Sequence, residues 1–243
     1  RNYDYNAAGE HILYGQSLWL DDTNEWLYYN KFERTYREDG QISLDRQLFW
    51  NAEKNDWSGL SNYGTGMLYN TRTVYTYDDQ NRVISEENYR QQDNGEYLRG
   101  AVNQYEYSEP EPGVNSRRKF RYLCDESGEI ITAHCMDQVL DTNPQGSCLY
   151  KSQSETYDGW ETFKMLTEEI YSYEEDGVNI HEGETYLAND RGVLMPLAKE
   201  YYIYDDDMNV IVSDYWQGQG TEDWHPYTHF TYEYENGERT RKY

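Results

Sequence analysis

The chain has 243 residues, 46 of them acidic against 21 basic, and a formal net charge of −25. A field of that sign repels phosphate backbones and anionic lipid surfaces, which argues against nucleic acid and against peripheral membrane binding. Only 37% of residues are hydrophobic, yet 28 are tyrosine, and no apolar run approaches a membrane span, so no membrane insertion is expected. Tyrosine replaces the aliphatics as the burying residue, with a ring that packs and a hydroxyl that stays wet.

In chain order, tyrosines end a series of strand-like runs, and we term each an anchor. Tyr5 is followed four positions on by Gly9, Tyr36 by Gly40, Tyr77 by Asn81 and Tyr173 by Gly177. Glycine and asparagine tolerate the positive φ of a tight hairpin turn. After Tyr204 the turn reads one residue longer, ending at Asn209, and after Tyr234 shorter, ending at Gly237. A β-branched residue six positions after the anchor opens a return strand at Ile42, Val83 and Val210. Cys124 behaves as a degenerate anchor, with Gly128 and Ile130 following.

Ten positions before an anchor stands a large residue: Trp26/Tyr36, Met67/Tyr77, Tyr97/Tyr107, Phe163/Tyr173, Leu194/Tyr204 and Trp224/Tyr234. An even spacing places both members on one face of an extended strand. Anchor spacings of 30 or 31 recur, with 41 between Tyr36 and Tyr77 and 66 between Tyr107 and Tyr173. Pro110, Pro112 and Pro144 fall in loops. Pro196 and Pro226 sit early in long strands, where an edge or a bulge tolerates them.

The expected fold is all-β: an antiparallel meander of tandem β-hairpin repeats, about sixteen strands, in one curled or spiralling sheet or roll. A single β-repeat domain is expected over 1–243, with an insert at 51–66 and irregular units at 108–160. Of Cys124, Cys135 and Cys148, the preferred bridge is Cys135 with Cys148, across the Asn143-Pro144-Gln145-Gly146 turn signal.

The segments Tyr75-Thr76-Tyr77-Asp78-Asp79-Gln80-Asn81-Arg82-Val83-Ile84 and Tyr202-Ile203-Tyr204-Asp205-Asp206-Asp207-Met208-Asn209-Val210-Ile211 resemble YD repeats. The chain is also similar to secreted tyrosine-rich repeat proteins of Bacteroidetes. The resemblance implies strands that wind into a spiral and an extracellular or bacterial cell-surface location, after signal-peptide removal. It implies no catalytic residues. Asp follows the anchor only at Asp78 and Asp205, and Asn6, Arg37, Ser108, Glu174 and Glu235 stand there elsewhere.

No nucleophile elbow, phosphate-cradling loop or Cys/His dyad occurs, and the carboxylates are too numerous to single out an acid and a nucleophile. His225 and His229 share a strand face but lie ~13 Å apart, too far for one metal ion. Asp205-Asp206-Asp207 and Asp21-Asp22 carry oxygen ligands that suit calcium, but they read better as polar turns, so neither cofactor nor metal is expected. The aromatics that obey the repeat are expected to pack. Trp57 and Tyr63 lie in the insert, outside the repeat, and with Trp50 are the expected ligand-binding residues. The expected function is a non-enzymatic secreted or cell-surface module with structural, adhesive or protein-interaction roles, its partner a protein or glycan. The alternatives are a carbohydrate-binding module and, behind it, a glycoside hydrolase.

Overall fold

In the computed structural model, residues 2–20, 24–51, 54–58, 61–63, 66–156, 164–218, 223–235 and 237–243 are described, apart from the side chains of 18, 20, 25–28, 61–63 and 66–68. Among the described residues eighteen strands follow one another: β1 (Asn2–Tyr5), β2 (His11–Leu20), β3 (Glu25–Tyr36), β4 (Ile42–Phe49), β5 (Ser61–Tyr63), β6 (Gly66–Leu68), β7 (Thr71–Tyr77), β8 (Val83–Gln91), β9 (Tyr97–Glu111), β10 (Val114–Cys124), β11 (Ile130–Thr142), β12 (Cys148–Thr156), β13 (Lys164–Tyr173), β14 (Ile180–Ala188), β15 (Leu194–Tyr204), β16 (Val210–Gly218), β17 (Trp224–Glu235) and β18 (Glu238–Lys242). Sixteen form one open antiparallel sheet in sequence order, and β5 pairs with β6 apart from it. The all-β meander of hairpins is therefore borne out. Among the described residues no helix is long and apolar enough to cross a membrane.

The chain divides into two compact units: Arg1–Tyr105 with Arg121–Thr132, and Glu106–Phe120 with Ala133–Tyr243. Unit 1 holds the insert. There β4 pairs directly with β7, Leu44 opposite Val74, so the β5–β6 pair stands outside the ladder between neighbouring strands. Unit 2 holds the regular hairpins from β12 to β18.

The turns share one hydrogen-bond pattern. In the loop after Tyr204, the Asp205 N–H donates to the Asn209 carbonyl and the Met208 N–H donates back to the Asp205 carbonyl, 3.0 Å each. Met208 takes the left-handed conformation at φ 61°. The same pair of bonds closes the loops at Asn6, Arg37, Asp78, Gln92, Asp125, Asn143 and Asn189. This is a type I turn followed by a left-handed residue. The Tyr204 turn is thus no longer than the others: Met208, and not Asn209, fills the position of glycine. Glu111-Pro112-Gly113 makes a further turn, with Gly113 at φ 82°, so β9 runs past Tyr107 and holds Pro110 near its end, where a loop was expected.

The side chain of the first turn residue explains the aspartate after the anchor. Asp205 Oδ1 accepts from the Asp207 and Asn209 N–H groups at 3.0 and 2.8 Å. Asp78, Asp125, Asn6, Asn143 and Asn189 cap their turns in the same two-bond way. Where Arg37 or Glu174 holds the first place, an aspartate two positions on substitutes: Asp39 accepts from the Gln41 N–H, and Asp176 from those of Val178 and Asn179. These bonds stabilise the ionised carboxylates. The Ser127 hydroxyl chiefly holds Asp125 below its ordinary pKa, the Val178 N–H holds Asp176, and the Asn209 N–H holds Asp205.

The anchors carry a second device. The return strands β2, β4, β8, β12, β14 and β16 begin at a register shift, where a bulge disrupts the ladder and leaves main-chain groups without strand partners. The anchor hydroxyl of the following unit donates to a carbonyl at that point: Tyr36 to His11 at 2.9 Å, Tyr77 to Ile42 at 2.7 Å, Tyr204 to Ile180 at 2.8 Å. Tyr173 does the same to Cys148 at 2.7 Å. Phenylalanine would pack as well but could not close these carbonyls, which is why the repeat spells tyrosine.

A second set of bulges overturns the expected shared face of three ten-residue pairs, while Met67 falls in β6, apart from the strand of Tyr77, and Phe163 lies outside the described residues. In β9, Arg99 faces Tyr89 and Ala101 faces Asn88, so Gly100 is an extra residue. Leu197 is extra in β15 and Tyr227 in β17, beside Pro196 and Pro226, which bears out the expected bulge at both prolines. One extra residue reverses the parity, so Tyr97, Leu194 and Trp224 lie on the face opposite Tyr107, Tyr204 and Tyr234. His225 and His229 are separated to opposite faces by the same bulge at Tyr227.

Cys124, Cys135 and Cys148 form no disulfide, so the Cys135–Cys148 bridge is corrected. Cys135 pairs with Thr156 and Cys148 with Thr142, at opposite ends of the β11–β12 ladder. Seven strand residues separate Cys135 from Thr142, roughly 23 Å, far beyond disulfide reach.

A candidate binding surface on unit 1

The two faces of unit 1 differ in chemistry. One carries the anchors Tyr36 and Tyr77. On the other, the register sets Glu33 opposite Arg46, Arg46 opposite Arg72, Arg72 opposite Tyr89, and Tyr89 opposite Arg99. Directly opposed residues share a face, so these five form one row across β3, β4, β7, β8 and β9. The Gly100 bulge is what turns Tyr97 and Arg99 toward this row. Without it, Arg99 would share the face of Ala101.

Arg72 is the centre. Its guanidinium lies 4.5 Å from the Tyr89 ring and 4.7 Å from the Tyr97 ring. No carboxylate among the described residues reaches it, and its buried Nε has no hydrogen-bond partner. The Arg46 Nε is likewise buried without a partner, although its terminal nitrogen pairs with Glu33 at 3.1 Å. Lys31 also reaches Glu33, at 2.7 Å. Arg99 lies 3.7 Å from Glu87 and donates to the Gly128 carbonyl at 3.0 Å. The cluster holds four cations (Lys31, Arg46, Arg72, Arg99) and two carboxylates (Glu33, Glu87), a local excess of two positive charges in a chain of net −25.

Trp57 and Trp50 adjoin the Lys31 end. Their rings meet edge to face at 5.2 Å, and the Lys31 ammonium sits 4.8 Å above Trp57. Both indoles are partly exposed. Tyr63 ends β5, and its side chain lies outside the described residues. The structure therefore brings Trp50 and Trp57 together and joins them to a cationic row that sequence reasoning missed. Asn70 fastens this corner. It is 1% exposed, accepts from the Phe49 N–H at 2.7 Å, and donates to the Trp57 carbonyl at 2.6 Å and to Gln91 Oε1 at 2.8 Å. At the Arg99 end an open depression of about 690 Å³ is lined by Arg90, Leu98, Arg99, Cys124, Asp125 and Glu126 among others.

Elsewhere the conspicuous groups are occupied within the sheet. In unit 2, the hydroxyls of Tyr171, Tyr186 and Tyr202 donate to Glu169, Glu184 and Glu200, two residues back on their own strands. Burial first, and then these carboxylates, push all three phenols up to about 12. Lys199 bridges Glu182 and Glu184. His229 pairs with Asp214 at 2.5 Å. Among the described residues no group of three or more His, Cys, Asp or Glu is placed to hold a metal ion. The Asp205 carboxylate is engaged by its own turn, and Asp21-Asp22 lie outside the described residues.

No protein-family model matches the chain, and no curated protein matches it. Among solved structures it is similar to a protein of unknown function from Bacteroides fragilis NCTC 9343, at 12% identity over 66% of this chain and 91% of that one, with a TM-score of 0.26. It is similar to TcdB2-TccC3 at 11% identity over 97% of this chain and 14% of that one, TM-score 0.31. It is also similar to a porin-like protein from Bacteroides uniformis ATCC 8492, at 9% identity over 95% and 92%, TM-score 0.20. Overlap at this level carries no argument about function.

Proposed function

We propose that the chain is a non-enzymatic extracellular β-repeat module whose contact surface is the cation–aromatic face of unit 1. The observation that supports this reading is a division of labour. Anchor hydroxyls close main-chain carbonyls, turn aspartates close main-chain N–H groups, and the unit 2 tyrosines and glutamates satisfy one another. Those residues serve the sheet. Arg72 and Arg46, each with a buried N–H group left over and Arg72 packed on two tyrosine rings, do not. Arginine and aromatic side chains are the ones that dominate contact energies at interfaces.

The test is retention of the purified chain on intact bacterial and mammalian cells, paired with a panel of chromogenic glycosides. The expected result is saturable retention, reduced by the double variant Arg46→Gln/Arg72→Gln, and no turnover. Turnover above buffer, or retention indifferent to the double variant, contradicts the reading.

A further inference from the structure

We infer that the row centred on Arg72 recognises a carboxylate-bearing saccharide of low charge density, such as a uronate unit, an inference that rests on the contact surface proposed above. The first support is the unmet donor capacity. A guanidinium presents its N–H groups as a planar fork matched to a carboxylate, and the Arg72 fork has no carboxylate of its own among the described residues. The Tyr89 and Tyr97 rings both pack against it, so little side-chain freedom is lost when a ligand arrives.

The second support is the alternation of charge. Glu33 and Glu87 stand among the arginines with side chains 24% and 34% exposed. A ligand made only of acceptors, such as a sulfate cluster, is repelled by them. A ligand made of acidic peptide meets the same repulsion and has few hydroxyls to offer. A uronate carries one carboxylate for Arg72 and several hydroxyl donors for the flanking glutamates, and it leaves the partly exposed Trp50 and Trp57 rings to contact its apolar ring edges. The third support is the field of the whole chain. A net charge of −25 disfavours dense polyanions at long range, so the local cations suit a ligand whose carboxylates are spaced one to a sugar ring among neutral hydroxyls. The row from β3 to β9 crosses four inter-strand steps, ~19 Å, room for a short oligosaccharide.

The experiment is isothermal titration of the full chain with tetragalacturonate, its methyl ester and tetraglutamate. The expected result is binding of tetragalacturonate, weakened by salt, with the methyl ester and the peptide each at least about tenfold weaker. Arg72→Gln is expected to abolish the difference between acid and ester. Arg46→Gln, whose natural side chain is 42% exposed, reduces it and guards against a misfolded Arg72 variant, with Arg82→Gln in the turn after Tyr77 as the unaffected control. Equal affinity for acid and ester, equal affinity for tetraglutamate, or no binding of any of them overturns the inference while leaving a binding module of other specificity in place. Cleavage of tetragalacturonate would instead overturn the non-enzymatic reading and leave carboxylate recognition standing.

Discussion

Asn70→Ala is expected to unfasten the insert and destabilise unit 1 by an amount that can be worked from three bonds. The Phe49 N–H loses its acceptor at a site 1% exposed, where water does not replace it, a cost of about 1–3 kcal/mol. The Trp57 carbonyl and Gln91 Oε1 each lose a donor but keep other hydrogen-bonding options, about 0.5–1.5 kcal/mol apiece. Together these reach roughly 2–6 kcal/mol, a large share of the ~5–15 kcal/mol of a typical domain. Urea unfolding followed by tryptophan fluorescence should show the midpoint fall by about 1 M or more. Asn70→Asp sharpens the test. It keeps the acceptor for Phe49 but turns an oxygen toward two acceptors, so the ionised carboxyl is disfavoured and its folded pKa is raised. Stability from a raised carboxyl is present below the unfolded value and lost as pH rises. The deficit of Asn70→Asp against the natural chain should therefore grow between about pH 4 and pH 7. A midpoint shift below about 0.25 M for both variants would refute the reasoning.

Tyr173→Phe and Tyr204→Phe should each cost about 0.5–1.5 kcal/mol and add in the double variant, because the two bonds share no partner; chemical denaturation of unit 2 checks this. Gly183→Ala places a Cβ 2.9 Å from the Tyr171 ring and should cost about 1–3 kcal/mol, read from thermal unfolding. On acidification, the depressed Asp125, Asp176 and Asp205 contribute stability present above about pH 3.9 and lost as pH falls through their lower folded values, so Asp205→Ala should lessen the acid sensitivity of unfolding. On the alkaline side, the phenols of Tyr171, Tyr186 and Tyr202 are raised to about 12, so the stability they contribute is intact below about pH 10 and lost between there and about 12. Ultraviolet titration should show these phenols ionising late in the natural chain and normally in urea.

The hairpins were legible because turns constrain single positions. A left-handed residue four places after Tyr5, Tyr36 or Tyr173 all but requires glycine, and that requirement is written in the sequence. Met208 escaped for the complementary reason: an unusual residue fills the same conformation, held by the Asp205 cap rather than by its own preference. Face assignment failed in the long strands because a one-residue bulge carries no fixed spelling. Only Pro196 and Pro226 announced it, and Gly100 did not. The binding surface depends on that parity. Arg46, Arg72, Tyr89 and Arg99 lie far apart in sequence and meet only once the register is known. Trp57 was visible because it breaks the repeat, and with Trp50 it marks one end of the row. An arginine count against the acidic background, taken strand by strand, is the signal that would have pointed toward the rest.

The central claim is that the tyrosines hold the sheet while the Arg72 row makes contact. One paired measurement separates these roles: unfolding midpoint and tetragalacturonate affinity for Tyr204→Phe and Arg72→Lys. Arg72→Lys keeps a cation beside the two rings but loses the planar fork. The account predicts that Tyr204→Phe lowers the midpoint and leaves affinity unchanged, and that Arg72→Lys lowers affinity about tenfold with little change in midpoint. Affinity that tracks the midpoint in both variants, or that is unmoved by Arg72→Lys, would contradict it.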